Sequence, residues 1–340
     1  MIAFDEKYFQ GEIRDGYYVE GDKKRLWAAN LEVLMEIDRI CRKHNITYFL
    51  AYGTLLGAVR HNGFIPWDDD LDITMLRKDY MRFLSVVEME LAFPFVSLDP
   101  YHDETWDMPF ARVVNGKYGI NTETWYLERF HGYPYSAGVD IFMFDNQWNR
   151  EEEYYYAASQ IGRLDRIVDL LKERKKIQDE AEKGSVVKAE EWKELDEKIE
   201  CALTEVERDY GMPIDREKNI RSQLLRMENG FFALCENENS EELIVWPVIG
   251  SLEYHAAGYK RAWYQESMEL PFEGIMLPVP VGFHESLIRT YGINYLSPVK
   301  HSHDLDQRNS KIIQDMRSET GIFKGKLDNL ERLLEGREGL

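Results

Sequence analysis

Between Lys23 and His44 the apolar residues Leu26, Val33, Leu34, Ile37, Ile40 and Cys41 recur at helical spacing, which predicts an amphipathic helix closed by Asn45. Ile46 to Tyr52 reads as a strand that stops at Gly53-Thr54. Leu55 to Arg60 reads as a short helix and His61-Asn62-Gly63 as a turn. Pro66 precedes an acidic run, Leu71 to Met75 reads as a second strand, and Arg77 to Leu91 returns to helical spacing through Tyr80, Leu84 and Val87. Phe95 to Leu98, Ala111 to Val114 and Val139 to Phe144 are short apolar runs bounded by Pro, Gly, Asn or Asp, as sheet strands are.

From Arg150 to about Arg226 the pattern changes to long, charge-rich helices with a break at Lys183-Gly184-Ser185, their charges reading as solvated faces. Leu270 to Gly282 is rich in Pro and apolar residues, His284 to Tyr291 reads as a helix stopped by Gly292, and Ser310 to Leu334 as a polar helical tail. The expected class is α/β (α+β): a mixed sheet with flanking helices over 1–148, a charged helical insertion over 149–230, a C-terminal part over 231–303 and the tail over 304–340.

The balance of 42 Lys+Arg against 62 Asp+Glu gives a net charge of −20, which argues against nucleic acid or an anionic membrane as partner. Cys41, Cys201 and Cys235 lie far apart and form no C-x-x-C pair, so neither a disulfide framework nor a cysteine zinc site is expected. The chain has no apolar run of transmembrane length, and Asp5 and Glu6 stand where a signal peptide would be apolar. A cytoplasmic protein is expected, one that works on a precursor if its product belongs to a cell surface.

The informative stretch is Trp67-Asp68-Asp69-Asp70-Leu71-Asp72-Ile73-Thr74-Met75. Aspartate is depleted in strands, and side chains two apart share a face, so Asp70 and Asp72 present paired carboxylates at one strand edge. A free acidic loop would be the ordinary reading, but this run is wedged between Phe64-Ile65-Pro66 and Ile73-Thr74-Met75 and lies close to the core. Mutual repulsion then calls for a cation, and hard oxygen ligands suit Mg²⁺ or Mn²⁺. Gly53 and Thr54 stand at a strand-to-helix junction, where free N–H groups can hold a phosphate. Asp140, in the apolar run Val139 to Phe144, needs a partner if buried and is the candidate third carboxylate.

The run from Gly53 to Ile73, Gly-Thr-Leu-Leu-Gly-Ala-Val-Arg-His-Asn-Gly-Phe-Ile-Pro-Trp-Asp-Asp-Asp-Leu-Asp-Ile, closely resembles the signature of the LicD family of bacterial phosphocholine transferases, which is related to the fukutin-type ribitol-phosphate transferases. Val139 to Asp145 and Leu270 to Tyr291, with Phe272-Glu273-Gly274 and Leu277-Pro278-Val279-Pro280, are similar to further family motifs. The resemblance implies a nucleotidyltransferase-like fold, with Gly53-Thr54 at the helix start and Asp70, Asp72 and Asp140 as metal-holding catalytic acids. It implies transfer of a phospho-alcohol from a CDP-linked donor, CDP-choline favoured, to a glycan or lipid-linked glycan hydroxyl, with release of CMP. The match is weakest between Glu151 and Trp263, so acceptor recognition, if housed there, is not carried over by the resemblance.

Arg60 is the first expected phosphate partner, with Arg112, Arg289 and Lys300 behind it; His301 and His303 are left out of the site. Trp67 is expected at the substrate. Together with Trp106, Trp125, Tyr133 and Tyr135 it could form a cage for a quaternary ammonium, although aromatic residues are more often core. Two other readings compete: a nucleotide-sugar glycosyltransferase using Asp70-Leu71-Asp72 as a D-x-D motif, and a non-catalytic nucleotide-binding scaffold. The first is disfavoured because only about one helix and one strand precede the motif, the second because all three acids are present.

Overall fold

The computed structural model describes residues 1–116, 119–183, 189–235, 240–246 and 254–297. Lys300, His301, His303, the proposed break at Gly184-Ser185 and the tail from Ser310 lie outside the described residues. Glu12–Arg14 (β1) and Tyr17–Val19 (β2) form a hairpin, followed by Gly21–His44 (α1), Phe49–Leu50 (β3), Tyr52–His61 (α2), Asp72–Leu76 (β4) and Arg77–Glu90 (α3). Next come Val96–Leu98 (β5), Ala111–Val114 (β6), Thr124–Arg129 (α4) and Gly138–Asn146 (β7). Helices Glu151–Glu182 (α5), Ala189–Tyr210 (α6) and Ile220–Ala233 (α7) precede Glu242–Val245 (β8), Tyr254–Ala257 (α8) and Tyr259–Lys260 (β9). The hairpin Ser267–Phe272 (β10) and Ile275–Pro280 (β11) and the helix Phe283–Tyr291 (α9) complete the mixed α/β order.

The chain packs as two compact units. Of the described residues, one takes those within 1–97, 112–143 and 262–297; the other takes those within 98–111 and 144–261. In the first, the strands run in the order β3-β4-β7-β6-β5, with Phe49 opposite Thr74 and Leu50 opposite Ile73 in an antiparallel pair. Ile73, Thr74 and Met75 are all buried, which explains the apolar run there. Helix α1 is buried around most of its circumference, and its Trp27 ring stacks on Phe64 at 4.7 Å. Asn45 closes it in the left-handed conformation, as expected of an asparagine C-cap.

In the second unit, Leu164, Ile167 and Val168 of α5 pack with Leu195, Ile199, Leu203 and Val206 of α6 and Leu224 and Met227 of α7. The charge-rich helices therefore enclose an apolar core of their own. The stretch 231–261, grouped from sequence with the C-terminal part, packs within this unit: Phe232, Ile244 and Ala257 join Trp148, Tyr154, Ala157 and Ile161. No helix among the described residues is long and apolar enough to cross a membrane.

Two sequence expectations are corrected. The strand read over Ile46 to Tyr52 shrinks to Phe49–Leu50, and α2 starts at Tyr52, ahead of Gly53. The cause is local: the Ala51 amide donates to the Asp72 carbonyl at 3.0 Å, and from there the chain turns directly into the helix.

Two glycines in helices should respond to alanine with opposite signs. A Cβ on Gly57, in α2, would lie 2.4 Å from the Gly63 carbonyl oxygen, a backbone atom with no room to yield. Gly230, in α7, is exposed and meets nothing within 4 Å. Gly230→Ala is expected to stabilise by about 0.5–1 kcal/mol, the usual gain in a helix interior, whereas Gly57→Ala destabilises. Denaturant unfolding of both variants checks this, and a stabilised Gly57→Ala protein would refute the packing argument.

Candidate active site at an acidic strand edge

The acidic run falls between the loop after α2 and the start of β4, and buried donors on α1 hold its backbone. Trp27 Nε1 donates to the Asp68 carbonyl at 2.9 Å, and Asn30 Nδ2 to the Asp69 carbonyl at 2.8 Å. Asn30 Oδ1 also accepts from the Gly138 amide at 2.9 Å, at the first residue of β7. One buried amide side chain thus ties the acidic loop to the strand that carries Asp140. The Asp140 amide donates to the Leu71 carbonyl at 2.9 Å, continuing the same register.

The side chains of Asp68, Asp69 and Asp70 can each bring one carboxylate oxygen within 4.8 Å of the others. Burial, then the charge of Asp70 and a hydrogen bond shared with it, push the Asp68 carboxyl up from 3.8 to about 8. Burial and the charges of Asp70, Asp140 and Asp68 raise Asp72 well above the carboxylate range. Asp140 is also raised, by burial, although Arg112 pulls the other way. Arg112 grips Asp140 with two donors, Nε to Oδ1 and Nη2 to Oδ2, the second at 2.7 Å. These shifts have one physical source: several carboxylates share a partly dry site with Arg112 as the nearby cation.

Gly53 and Thr54 lie in the first turn of α2, next to this cluster. A Cβ on Gly53 would sit 2.5 Å from Asp68 Oδ2, so the missing side chain makes room for that carboxyl group beside the first turn of α2. Thr54 is buried, and its Oγ1 accepts from the Asp72 amide at 2.8 Å, joining α2 to β4. Its hydroxyl hydrogen remains to be donated.

The other expected substrate residues take these places. Arg60 sits in the last turn of α2, about 10 Å of helical rise from Gly53, and its Nη1 donates to the Tyr295 carbonyl at 2.9 Å. It belongs to the opposite end of the helix from the acids, because the sequence shows the residue's neighbours but not which end of the helix faces the site. Arg289 lies in the last turn of α9. Trp67 is buried edge-on to Tyr17 and His61. The five aromatic residues do not share one set of ring contacts: Trp106 pairs with Phe110, Trp125 with Phe93 and Tyr126, and Tyr133 with Tyr135.

Sequence reading missed Trp27 and Asn30, and ranked Arg112 low. The available signal was an asparagine and a tryptophan three residues apart on the buried side of a helix, where a polar atom must find a partner.

Residues 45–161 match the model of a family described as LicD/FKTN/FKRP, nucleotidyltransferase domain. Over 125 residues, 37% of this chain, the sequence is 50% identical to the lipopolysaccharide cholinephosphotransferase LicD of Haemophilus influenzae, covering 45% of that protein. It is also 43% identical over 70 residues to an uncharacterized protein of Rickettsia typhi, covering 21% of this chain and 22% of the relative. An uncharacterized protein of Rickettsia prowazekii is 42% identical over 72 residues, 21% of this chain and 26% of its own. The matches thus span less than half of the first relative and about a quarter of the other two.

The raised carboxyls set the pH response of the metal-free protein. Between 3.8 and about 8 the folded state keeps a proton on Asp68 that the unfolded chain has lost. Stability therefore falls as pH rises through that interval and levels off above it. Asp68→Asn is expected to flatten the slope and to raise the melting temperature at pH 8 in EDTA. An unchanged slope would show that Asp68 is not the group responsible.

Proposed function

We propose, from the match of residues 45–161 to the LicD/FKTN/FKRP family model, that the protein is a transferase. It moves phosphocholine or a similar phospho-alcohol from a CDP-linked donor, CDP-choline favoured, to a hydroxyl of a glycan or lipid-linked glycan, and releases CMP. The single observation that carries the reading is the gathering of Asp68, Asp70, Asp72 and Asp140 at one strand edge, where burial first and neighbouring carboxylate charge after it raise Asp68, Asp72 and Asp140. The Haemophilus relative is a lipopolysaccharide cholinephosphotransferase, which supports choline as the alcohol and a glycan as acceptor.

The residues suit a divalent cation. The donors are all carboxylate oxygens, hard ligands of the kind Mg²⁺ and Mn²⁺ take, and their mutual repulsion is what a cation relieves. Asp70 and Asp72 would hold it, with Asp68 and Asp140 beside them. When bound it supplies charge neutralisation for the donor diphosphate and the leaving phosphate.

The chain's own groups do the rest. Trp27 and Asn30 keep the acidic loop in register with β7, so the carboxylates are positioned before substrate arrives. The first turn of α2 offers its N–H groups and the Thr54 hydroxyl to a phosphate. Asp140 takes the proton of the acceptor hydroxyl as its oxygen bonds to the phosphorus that carries the alcohol; the bond to the CMP oxygen breaks and CMP leaves. A carboxyl lifted by burial is a better base than an ordinary one. Arg112, bound to Asp140 through Nε and Nη2, keeps that carboxylate ionised and oriented.

The test is to incubate the protein with CDP-choline, CDP-ribitol, CDP-glycerol and nucleotide sugars, with Mg²⁺ or Mn²⁺, and to follow nucleotide release. CMP from CDP-choline is expected, and release from a nucleotide sugar alone would favour the glycosyltransferase reading. Asp72→Asn is expected to abolish turnover while the protein stays folded. Asp140→Ala should lower the single-turnover transfer rate by about 100-fold or more, the scale of general-base loss, while donor affinity changes only a few-fold. Equal losses in rate and affinity would make Asp140 an ordinary binding group.

A further inference from the structure

At the C-terminal end of α2, away from the acids, lies a second cavity of about 580 Å³. Four chain segments build it: Tyr8, the β1–β2 turn with Arg14 and Asp15, the end of α2 with Arg60, His61 and Asn62, and the β10–β11 turn at Glu273. The last belongs to Phe272-Glu273-Gly274, a motif that the acidic site leaves without a role.

The cavity is unusually determined by its surroundings. Asp15, Asn62 and Glu273 have φ of 49°, 54° and 47°, and they are half of the six non-glycine residues with positive φ among the described residues. Asp15-Gly16 and Glu273-Gly274 are the two-residue turns of their hairpins and Asn62 is the C-cap of α2, so turn and cap geometry fixes the rim of the cavity. Glu273 is held by Arg14 Nη1 at 2.7 Å and by the Phe64 amide at 3.2 Å. Its Oε1 lies 2.2 Å from where a Cβ on Gly63 would be, so the turn needs glycine for the carboxylate to pass.

The polar groups divide into two kinds. Arg14 with Glu273, and His61 Nε2 with Asp15 Oδ2 at 2.8 Å, are compensated pairs. Burial, then the charge of Arg60, lowers the His61 pKa, and Arg60 Nε donates to its Nδ1 at 3.4 Å, which favours a neutral ring. Arg60 is different. It is half-buried and permanently charged, its Nη1 is used on the Tyr295 carbonyl and its Nε on His61 Nδ1, Nη2 has no bond among the described residues, and among those residues it forms no ion pair with a carboxylate. A cation so placed favours an anionic ligand. Around it, the carboxylate oxygens of Asp15 and Glu273, the side-chain amide of Asn62 and the Tyr8 hydroxyl are groups of the kind that bond hydroxyls. The volume falls within the roughly 300–1,000 Å³ of small-molecule sites.

We propose that this cavity is a saccharide subsite that takes a sugar bearing one anionic group, carboxylate or phosphate. Arg60 pairs with the charge, while Asn62, Asp15 and Glu273 take hydroxyls. Its role, to hold a part of the acceptor remote from the reacting hydroxyl, rests on the transferase reading above. Its binding does not.

The test is calorimetric titration of the full chain with glucuronic acid, glucose 6-phosphate, glucose and inorganic phosphate, at concentrations up to tens of millimolar. At least one anionic sugar is expected to bind about 10-fold more tightly than both glucose and inorganic phosphate, and the arms tell carboxylate from phosphate. Arg60→Gln should weaken it by about 10-fold. Asn62→Asp, which keeps a residue tolerant of the left-handed conformation, should do the same by adding a negative charge, and Asp70→Asn should leave the affinity within about twofold. Binding that depends on Asp70 and not on Arg60, no binding, or equal binding of inorganic phosphate would each overturn the proposal. Loss of sugar binding with intact CMP release would reject this subsite alone. Sugar binding without CMP release from any donor would reject the transferase reading alone.

Discussion

The repulsion among carboxylates between Asp68 and Asp72 is the constraint around which the first unit is built. In free solution these side chains would separate and hydrate. Here the backbone of the loop is pinned from behind by Trp27 and Asn30, both buried in α1, so the charges are held together against their preference. The protein offsets part of this cost by keeping protons on Asp68 and Asp72, and part with Arg112. Such a site is destabilised in its ground state and gains when a cation or a basic group enters, which couples ligand binding to the rigidity of the whole sheet edge.

Helix α2 links the two polar regions of this unit. Its first turn adjoins the acids, and its last turn supplies Arg60, His61 and Asn62 to the second cavity. The close approach of Gly57 to the Gly63 carbonyl holds the helix against its own C-terminal turn. With ten residues and both ends bonded to other elements, it has little freedom to tilt.

The sequence made the acids legible because aspartates in a strand break a strong rule, so their presence demands a reason. The boundaries of β3 and α2 were not legible, because they depend on what the Ala51 amide and the Thr54 hydroxyl meet across the sheet. Asn30 and Gly138 are 108 residues apart, and Arg14 and Glu273 are 259 apart. Local pattern carries no trace of such pairings. Arg60 shows the same limit in reverse: seven residues from Gly53 in sequence, it serves another part of the surface. The resemblance from Gly53 to Ile73 located the chemistry, while the supporting contacts came only from the fold.

The second unit interrupts the first in sequence, since Phe144–Arg261 lies between β7 and the hairpin β10–β11. During synthesis the acidic loop and its supports on α1 and β7 emerge well before Glu273 does. A whole helical unit must then be made while Arg14 and the end of α2 wait for their partner. The nascent chain thus carries an incomplete α/β core for much of its elongation, and closing it requires contacts of very high sequence separation, which are slow to form. The intervening helices have an apolar core of their own, so their burial does not depend on the late hairpin.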